Sequence, residues 1–167
     1  MSLIQTLQAI QDSDAAQAFL GSQYLYPFVE ASHVLGLALS VGLLAIADLR
    51  LIGVVMRRQP VADSLETLRP WMMAGFAVMM VSGVILFWPD AAHLWVNRLF
   101  QLKMLVMAAA IANALFFELR LGRHVAAWSD PLTPPVAARL AGWASLTGWA
   151  AVILFGRWIA YGFGAPP

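Results

Sequence analysis

The sequence places ionisable side chains inside stretches that are otherwise apolar enough for the centre of a lipid bilayer. The stretch "YLYPFVEASHVLGLALSVGLLAIADLRLIG" holds Glu30 and His33, and Lys103 and Arg157 lie in similar surroundings further along the chain. A charge within a membrane span costs at least about 2.5 kcal/mol on insertion scales, so such residues have partners or a function. Two permanent cations against one carboxylate leave an excess positive charge, which an anionic ligand from outside the chain would balance.

A histidine beside two cations suits two kinds of cofactor. Haem b offers propionates to Lys103 and Arg157, and an iron that the neutral imidazole of His33 would ligate. A quinone would instead accept hydrogen bonds from His33 and Lys103. The predicted cofactor-binding set is therefore Glu30, His33, Lys103, Arg157 and Tyr161. The alternative is a buried ion network without a cofactor, in which Glu30 pairs with Lys103 or Arg157.

A metal site built from protein ligands alone is not predicted. Glu30-x-x-His33 has the spacing found in di-iron bundles, but those sites draw further carboxylates from other helices, which this chain lacks. His93 and His124 lie in predicted connections at opposite ends, and the chain has no cysteine. We therefore expect His33 to be a metal ligand only towards a haem iron.

A second charged layer lies near the other end of the same stretches, with Asp48 and Arg50 in the first and Glu118 in the third. Residues near helix ends extend to the headgroups or form ion pairs there, so Arg50 is expected to act as a topogenic charge that lysine can replace. Asp48 differs, because at 100° per residue it lies about 60° round the helix from His33. That angle favours the bundle interior.

Amino-acid composition indicates the class of protein in which these residues lie. Hydrophobic residues make up 61% of the 167-residue chain, charged residues 11%, and the mean hydropathy is +0.74. Soluble domains average about 45–50% apolar and about 25% charged residues, so the sequence predicts an integral membrane protein in contact with the lipid bilayer. A formal net charge of +1 gives no reason to expect nucleic-acid binding.

Four apolar stretches are long enough to span a bilayer, at about residues 25–55, 70–88, 99–121 and 137–163. Short connections between them predict antiparallel neighbours. Residues 1–22 have apolar side chains at helical spacing, typical of an amphipathic helix at the membrane surface. The expected fold is all-α: an integral membrane four-helix up-down bundle at residues 23–163, with an N-terminal amphipathic surface helix.

Arginine placement predicts the orientation of the bundle. Arginines cluster at the first and third connections, so the positive-inside rule places these connections in the cytoplasm and both termini outside. His33 then lies roughly 12 Å below the outer start of its helix, at 1.5 Å per residue. Lys103 and Arg157 are also in the outer half, so Glu30, His33, Lys103 and Arg157 can converge in one layer.

Five segments carry a family resemblance: "YPFVEASHVLGLAL", "ADLRLIG", "LRPWMMAGF", "LFQLKML" and "GRWIAY". Together they resemble an uncharacterised family of small four-helix bacterial inner-membrane proteins, over residues Tyr24 to Tyr161. The resemblance implies a bacterial inner-membrane location, in which the termini that the arginines place outside would be periplasmic. The first-helix histidine and third-helix lysine are more distantly similar to the copper-resistance D-like proteins and the haem-binding four-helix protoporphyrinogen oxidases. That likeness implies haem or copper handling for His33 and Lys103.

Three function classes remain open at this point. The first is a membrane redox or cofactor-handling protein that binds haem b or a quinone in the outer leaflet. The second is a structural or accessory subunit of a membrane complex without a cofactor. The third is a small-solute or ion transporter, with Asp48 and Glu118 as inner relay groups. Small residues such as Gly148 on the fourth stretch also predict self-association into a homo-oligomer.

Overall fold

The computed structural model describes residues 2–128 and 132–164, and every regular element in these ranges is helical. This confirms the all-α prediction. The helices are α1 Leu3–Gln11, α2 Asp14–Leu20, α3 Leu25–Ile52, α4 Val61–Phe87, α5 Ala91–Val96, α6 Arg98–Phe116 and α7 Val136–Ala160. A 3₁₀ turn, Trp88–Asp90, links α4 to α5, and α6 continues into a π-helical turn, Phe117–Leu121, and a 3₁₀ turn, Gly122–Ala127.

Four helical stretches are long and apolar enough to cross a membrane, as the sequence predicts. They are Leu25–Ile52, Val61–Val96, Arg98–Ala126 and Val136–Ala160. The first ends at Gly53, whose φ of 89° is a left-handed conformation that glycine adopts without steric cost. The Gly53 and Val54 amides both donate to the carbonyl of Leu49, which terminates α3.

The second spanning helix begins earlier than predicted. The sequence suggests a start at Pro70, whereas α4 begins at Val61 and runs through Pro70. Proline removes one helical hydrogen bond, but the added N-terminal segment buries Val61 and Leu65 in a cluster with Ala47 of α3. Hydropathy marks the apolar stretch and not the buried face of the polar segment before it, so the helix extends beyond the predicted span.

Helices α3 and α4 pack closely through small residues. A methyl group added at Gly75 would lie 2.6 Å from the Ser40 backbone nitrogen, and one added at Gly36 would lie 2.9 Å from that of Met79. Such distances leave no room for a side chain, so glycine at both positions lets the two backbones meet. Contacts also join His33 to Gly83, so α3 and α4 run antiparallel.

Helix α7 packs between α3 and α6. Gly142 meets the backbone of Asp48 on α3, while Gly148 faces Ala110 and Gly156 faces Lys103 on α6. Gly148 is thus a packing residue within the chain. Self-association of the chain stays a prediction.

Side chains also join α4 to α6 at both ends. The rings of Phe87 and Phe100 stack with centroids 5.6 Å apart. At the other end Arg69 forms an ion pair with Glu118, at 2.9 Å. Between them Trp149 of α7 is buried against Phe76 of α4, with ring centroids 5.2 Å apart. We call the end with Phe87 and Phe100 the α5 end and the other the Arg50 end.

The N-terminal segment forms two short helices instead of the single helix that the sequence suggests. The Ser13 hydroxyl accepts a hydrogen bond from the Ala16 amide and so begins α2 just after α1 ends. Helix α1 packs against α5, and the Gln11 side chain accepts a hydrogen bond of 3.0 Å from the Ala92 amide. These helices therefore lie over the α5 end.

Candidate functional site

His33 is held between α3 and α4 by a directional hydrogen bond. Its Nδ1 lies 3.0 Å from the Ser82 hydroxyl oxygen, and the Ser82 hydroxyl lies 2.6 Å from the Val78 carbonyl. A hydroxyl has one proton, and the carbonyl can only accept it. Ser82 must then accept from His33, which assigns the proton of a neutral imidazole to Nδ1.

This tautomer leaves the other ring nitrogen available. The Met79 backbone also interacts with the ring. In this tautomer a carbonyl can accept only from Nδ1–H, so Nε2 keeps its lone pair. Histidines that ligate metals commonly donate their second N–H to an oxygen, which fixes the ring and its tautomer. The ring also needs Gly83, because a methyl group there would lie 3.1 Å from Cε1 of His33. The half-buried imidazole is therefore held in one orientation, with one free lone pair.

Lys103 is the second member of the predicted set that faces the interior. Its ammonium would lie 3.5 Å from a methyl group added at Gly156, so the side chain runs along α7 where that helix has no side chain. The ammonium is within Coulombic range of His33. No hydrogen bond or ion pair is made by Lys103 with any residue the structure describes. Lys103 is thus a half-buried cation that lies near the His33 imidazole, and no described residue provides its counter-ion.

Arg157 and Tyr161 form a separate pair at the α5 end. The Arg157 guanidinium donates to the Tyr161 hydroxyl at 2.7 Å and lies 4.6 Å from the centre of its ring. Both side chains are exposed. The two residues are four apart on α7, so this pairing follows from helical geometry.

Glu30 joins neither pair. Its side chain is exposed, and within the described ranges no salt bridge links it to Lys103 or Arg157. It lies within Coulombic range of Tyr26, one turn earlier on α3. The ion network that the sequence offers as an alternative does not form here. The structure brings His33 near Lys103 and Arg157 against Tyr161, with Glu30 outside both.

Arg50 is buried in the protein and does not extend to the headgroups as the sequence suggests. It is 0% exposed, and its Nη2 donates to the backbone carbonyls of Gln59 at 2.6 Å and Leu132 at 3.1 Å. It therefore ties together the connections that follow α3 and precede α7. The prediction that Arg50 extends to the headgroups was wrong, because these connections fold back over the helix end.

The other two charges of this layer have contrasting environments. Glu118 lies in the π-helical turn, is 49% exposed and pairs with Arg69 on α4. That pair links two elements and keeps the Glu118 carboxylate at the protein surface. Asp48 is 4% exposed, which agrees with the interior orientation that its helical angle favours. Its Oδ2 has no hydrogen-bond partner among the described residues.

Sequence reasoning missed the residues that orient His33. Ser82 and Gly83 stand out in the sequence only as a pair of small residues in the second span. Their role depends on α3 lying against α4, which a single sequence does not show. The sequence does hold one clue: Ser82 and Gly83 lie at about the same predicted membrane depth as His33.

A groove lies beside this site on the outer surface of α3 and α4. It has a volume of about 400 Å³ and is lined by apolar side chains such as Phe28 and Val81, together with Ser32 and Ser82. That volume is within the range of small-molecule sites, about 300–1,000 Å³. Among the described residues, no group of three or more histidine, aspartate or glutamate side chains is arranged to hold a metal ion.

The protein is all-helical within the described residues, with four helices long and apolar enough to cross a membrane. His33 and Lys103 lie near each other at the α5 end. A family model, Family of unknown function (DUF6644), matches residues 16–162, so the chain belongs to that family. No curated protein and no solved structure matches the chain.

Proposed function

We propose that this chain is a bacterial inner-membrane protein that binds haem b between its helices, in the outer half of the bilayer. It acts there in electron transfer or in cofactor handling. The observation that carries the proposal is His33, whose Nδ1–H is directed at Ser82 so that Nε2 keeps its lone pair. That is the arrangement of a histidine prepared to ligate a metal.

The surroundings of His33 fit such a group. Haem b carries two carboxylates, and Lys103 is a half-buried cation without a counter-ion from the described chain. Arg157 can give a second cation by turning from Tyr161, which is itself exposed. When bound, haem supplies one-electron chemistry. The chain's part is to orient the ligand nitrogen through Ser82, to neutralise the carboxylates and to exclude water.

A quinone is the second candidate, and the lipid-facing groove favours it. The groove between α3 and α4 has an apolar lining and includes Ser82, the residue that fixes His33. An isoprenoid tail could lie in it while the ring accepts a hydrogen bond from Lys103. We place haem first because a quinone makes no use of the free lone pair of His33 and carries no anionic group for the unpaired cation to neutralise.

The haem proposal predicts a loss of binding on replacing His33. Titration of haem into the detergent-purified His33→Ala variant should show affinity at least about tenfold weaker than wild type, a difference of about 1.4 kcal/mol. Ser82→Ala should weaken binding less, because it frees the ring without removing the ligand. His93→Ala is the control, since His93 is exposed and should bind haem as wild type does. Equal affinity for all four proteins would exclude His33 as the ligand.

We further propose an up-down-up-down topology with both termini outside. The antiparallel contacts among α3, α4, α6 and α7 support it, as do the exposed arginines Arg57, Arg58 and Arg69 near the Arg50 end.

Topology can be tested by labelling cysteines, because the chain has none of its own. A cysteine replacing the exposed His93 should react with an impermeant maleimide from the periplasm. A cysteine replacing Gln59, exposed near the Arg50 end, should react only after the membrane is opened. The reverse pattern would contradict the orientation and place the His33 site in the inner half.

A further inference from the structure

A second polar site lies at the Arg50 end, between α3 and α7. Asp48 and Ser145 are each 4% exposed, and the Ser145 hydroxyl lies beside the Asp48 carboxyl. Neither Asp48 Oδ2 nor Ser145 Oγ completes a hydrogen bond with a described residue. One turn along α7, the buried indole N–H of Trp149 also has no partner among the described residues. Buried polar groups are rarely left unsatisfied, so this layer has an occupant or a function.

The hydroxyl of Ser145 is kept free by the local structure. Serines and threonines inside the long helices donate to the carbonyl one turn before them: Ser32, Ser40, Ser64, Thr67, Ser82 and Thr147. Ser145 makes no such bond with the described chain. The carbonyl it would use, that of Ala141, accepts from the Asn113 side chain at 3.0 Å. The Ser145 hydroxyl is therefore available to Asp48.

No described cation neutralises Asp48. Arg50 on the same helix donates to two backbone carbonyls. Arg69 on α4 pairs with Glu118 of the π-helical turn, and Arg139 on α7 is exposed. An unpaired carboxylate in the low-dielectric interior is strongly unfavourable, so the carboxyl must take a positive charge from outside the chain.

A proton suits this site better than a metal ion. Three side-chain oxygens, two of Asp48 and one of Ser145, are too few for a hard cation such as calcium, which takes six to eight ligands. The indole N–H one turn away is a donor that cations avoid. The surrounding backbone carbonyls are engaged in the helices. A proton needs one oxygen, and the neutral acid can then form a hydrogen bond with Ser145.

We infer that Asp48 and Ser145 form an intramembrane proton-binding site that exchanges with the Arg50 end. A hydronium ion reaching the carboxylate transfers its proton to an Asp48 oxygen and leaves as water, and the reverse step returns the proton. The site is independent of the cofactor proposed for His33. An apolar cluster that includes Val41, Met79 and Val152 lies between the two sites, which limits exchange to this end.

Infrared difference spectroscopy on the purified full-length protein tests the inference without requiring colour or activity. Wild type at neutral pH should show the C=O stretch of a protonated carboxyl group, which shifts in D₂O and is absent in Asp48→Asn. Asp63→Asn is the control, because Asp63 is exposed on α4 near the same end and should leave the band unchanged. Ser145→Ala keeps the acid, removes its hydrogen bond and should move the band to higher frequency.

Four results would overturn the inference. A wild-type spectrum without a protonated-carboxyl band would show that Asp48 is ionised, and a sodium-dependent carboxylate band would identify a cation site. A band that does not shift in D₂O would show a static acid without exchange. A band unmoved in Ser145→Ala would separate the serine from the acid, and this variant decides the question if Asp48→Asn does not fold.

Discussion

Gly75→Leu is expected to unfold the α3–α4 pair, with a cost above the about 1–3 kcal/mol usual for overpacking. A Cβ at Gly75 would meet backbone atoms of Ser40 at 2.6 Å and the Gly36 carbonyl at 3.0 Å. Backbone atoms cannot turn aside as a flexible side chain can, so the two helices must separate. The measurement is the fraction folded against increasing denaturing detergent, followed by near-ultraviolet circular dichroism.

Gly42→Leu provides the matched control for this prediction. Gly42 lies on the same helix pair, is exposed, and would have no neighbouring atom within 4 Å of an added methyl group. Its leucine variant should match wild type or gain slightly, because leucine favours helix over glycine. Equal stability of the Gly75 and Gly42 variants would mean that α3 and α4 do not pack as described.

The second large effect is expected at Arg50. Arg50→Ala should lower the free energy of unfolding by more than about 3 kcal/mol, since two backbone carbonyls lose charge-assisted hydrogen bonds worth about 1.5–3 kcal/mol each. Arg50→Lys should lose less but still a measurable amount, because lysine is shorter and lacks the planar guanidinium.

The same detergent titration measures this effect, with Arg57→Ala as the control. Arg57 is an exposed arginine near the same end, and its removal should change the free energy of unfolding by no more than about 0.5 kcal/mol. If Arg50→Lys is as stable as wild type, Arg50 is only a topogenic charge, as the sequence alone suggests.

Sequence reasoning predicts best those features that depend on a single helix. The four apolar helices follow from hydropathy, and the interior position of Asp48 follows from its angle to His33 on α3. The pairing of Arg157 with Tyr161 likewise needs only the i,i+4 geometry of α7.

Sequence reasoning predicts less well those contacts that depend on how two helices pack together. Ser82 orients His33 only because α4 lies against α3, and Gly148 faces Ala110 only because α6 lies against α7. Arg50 is buried because connections at the end of the bundle fold over it. Hydropathy fixes the depth of each residue but not its neighbour. The alternative in which Glu30 pairs with Lys103 or Arg157 therefore could not be decided before the helices were placed.

The candidate site at the α5 end contains His33 and Lys103. His33 is oriented by Ser82, and Lys103 is half-buried nearby without a counter-ion from the described residues. Neither arrangement improves stability, because an unpaired cation and a free ring nitrogen each lose hydration on burial. Such a cost is typical of residues retained to bind a ligand.

The most direct test of the haem proposal is the absorbance spectrum of the protein purified from membranes in mild detergent, before and after dithionite. The proposal predicts a Soret band and a reduced α-band in wild type and in His93→Ala, and their loss in His33→Ala. A colourless wild-type protein that gains no such bands when haem is added would contradict the proposal. If solvent extraction of that protein then yields a bound quinone, the quinone alternative takes its place.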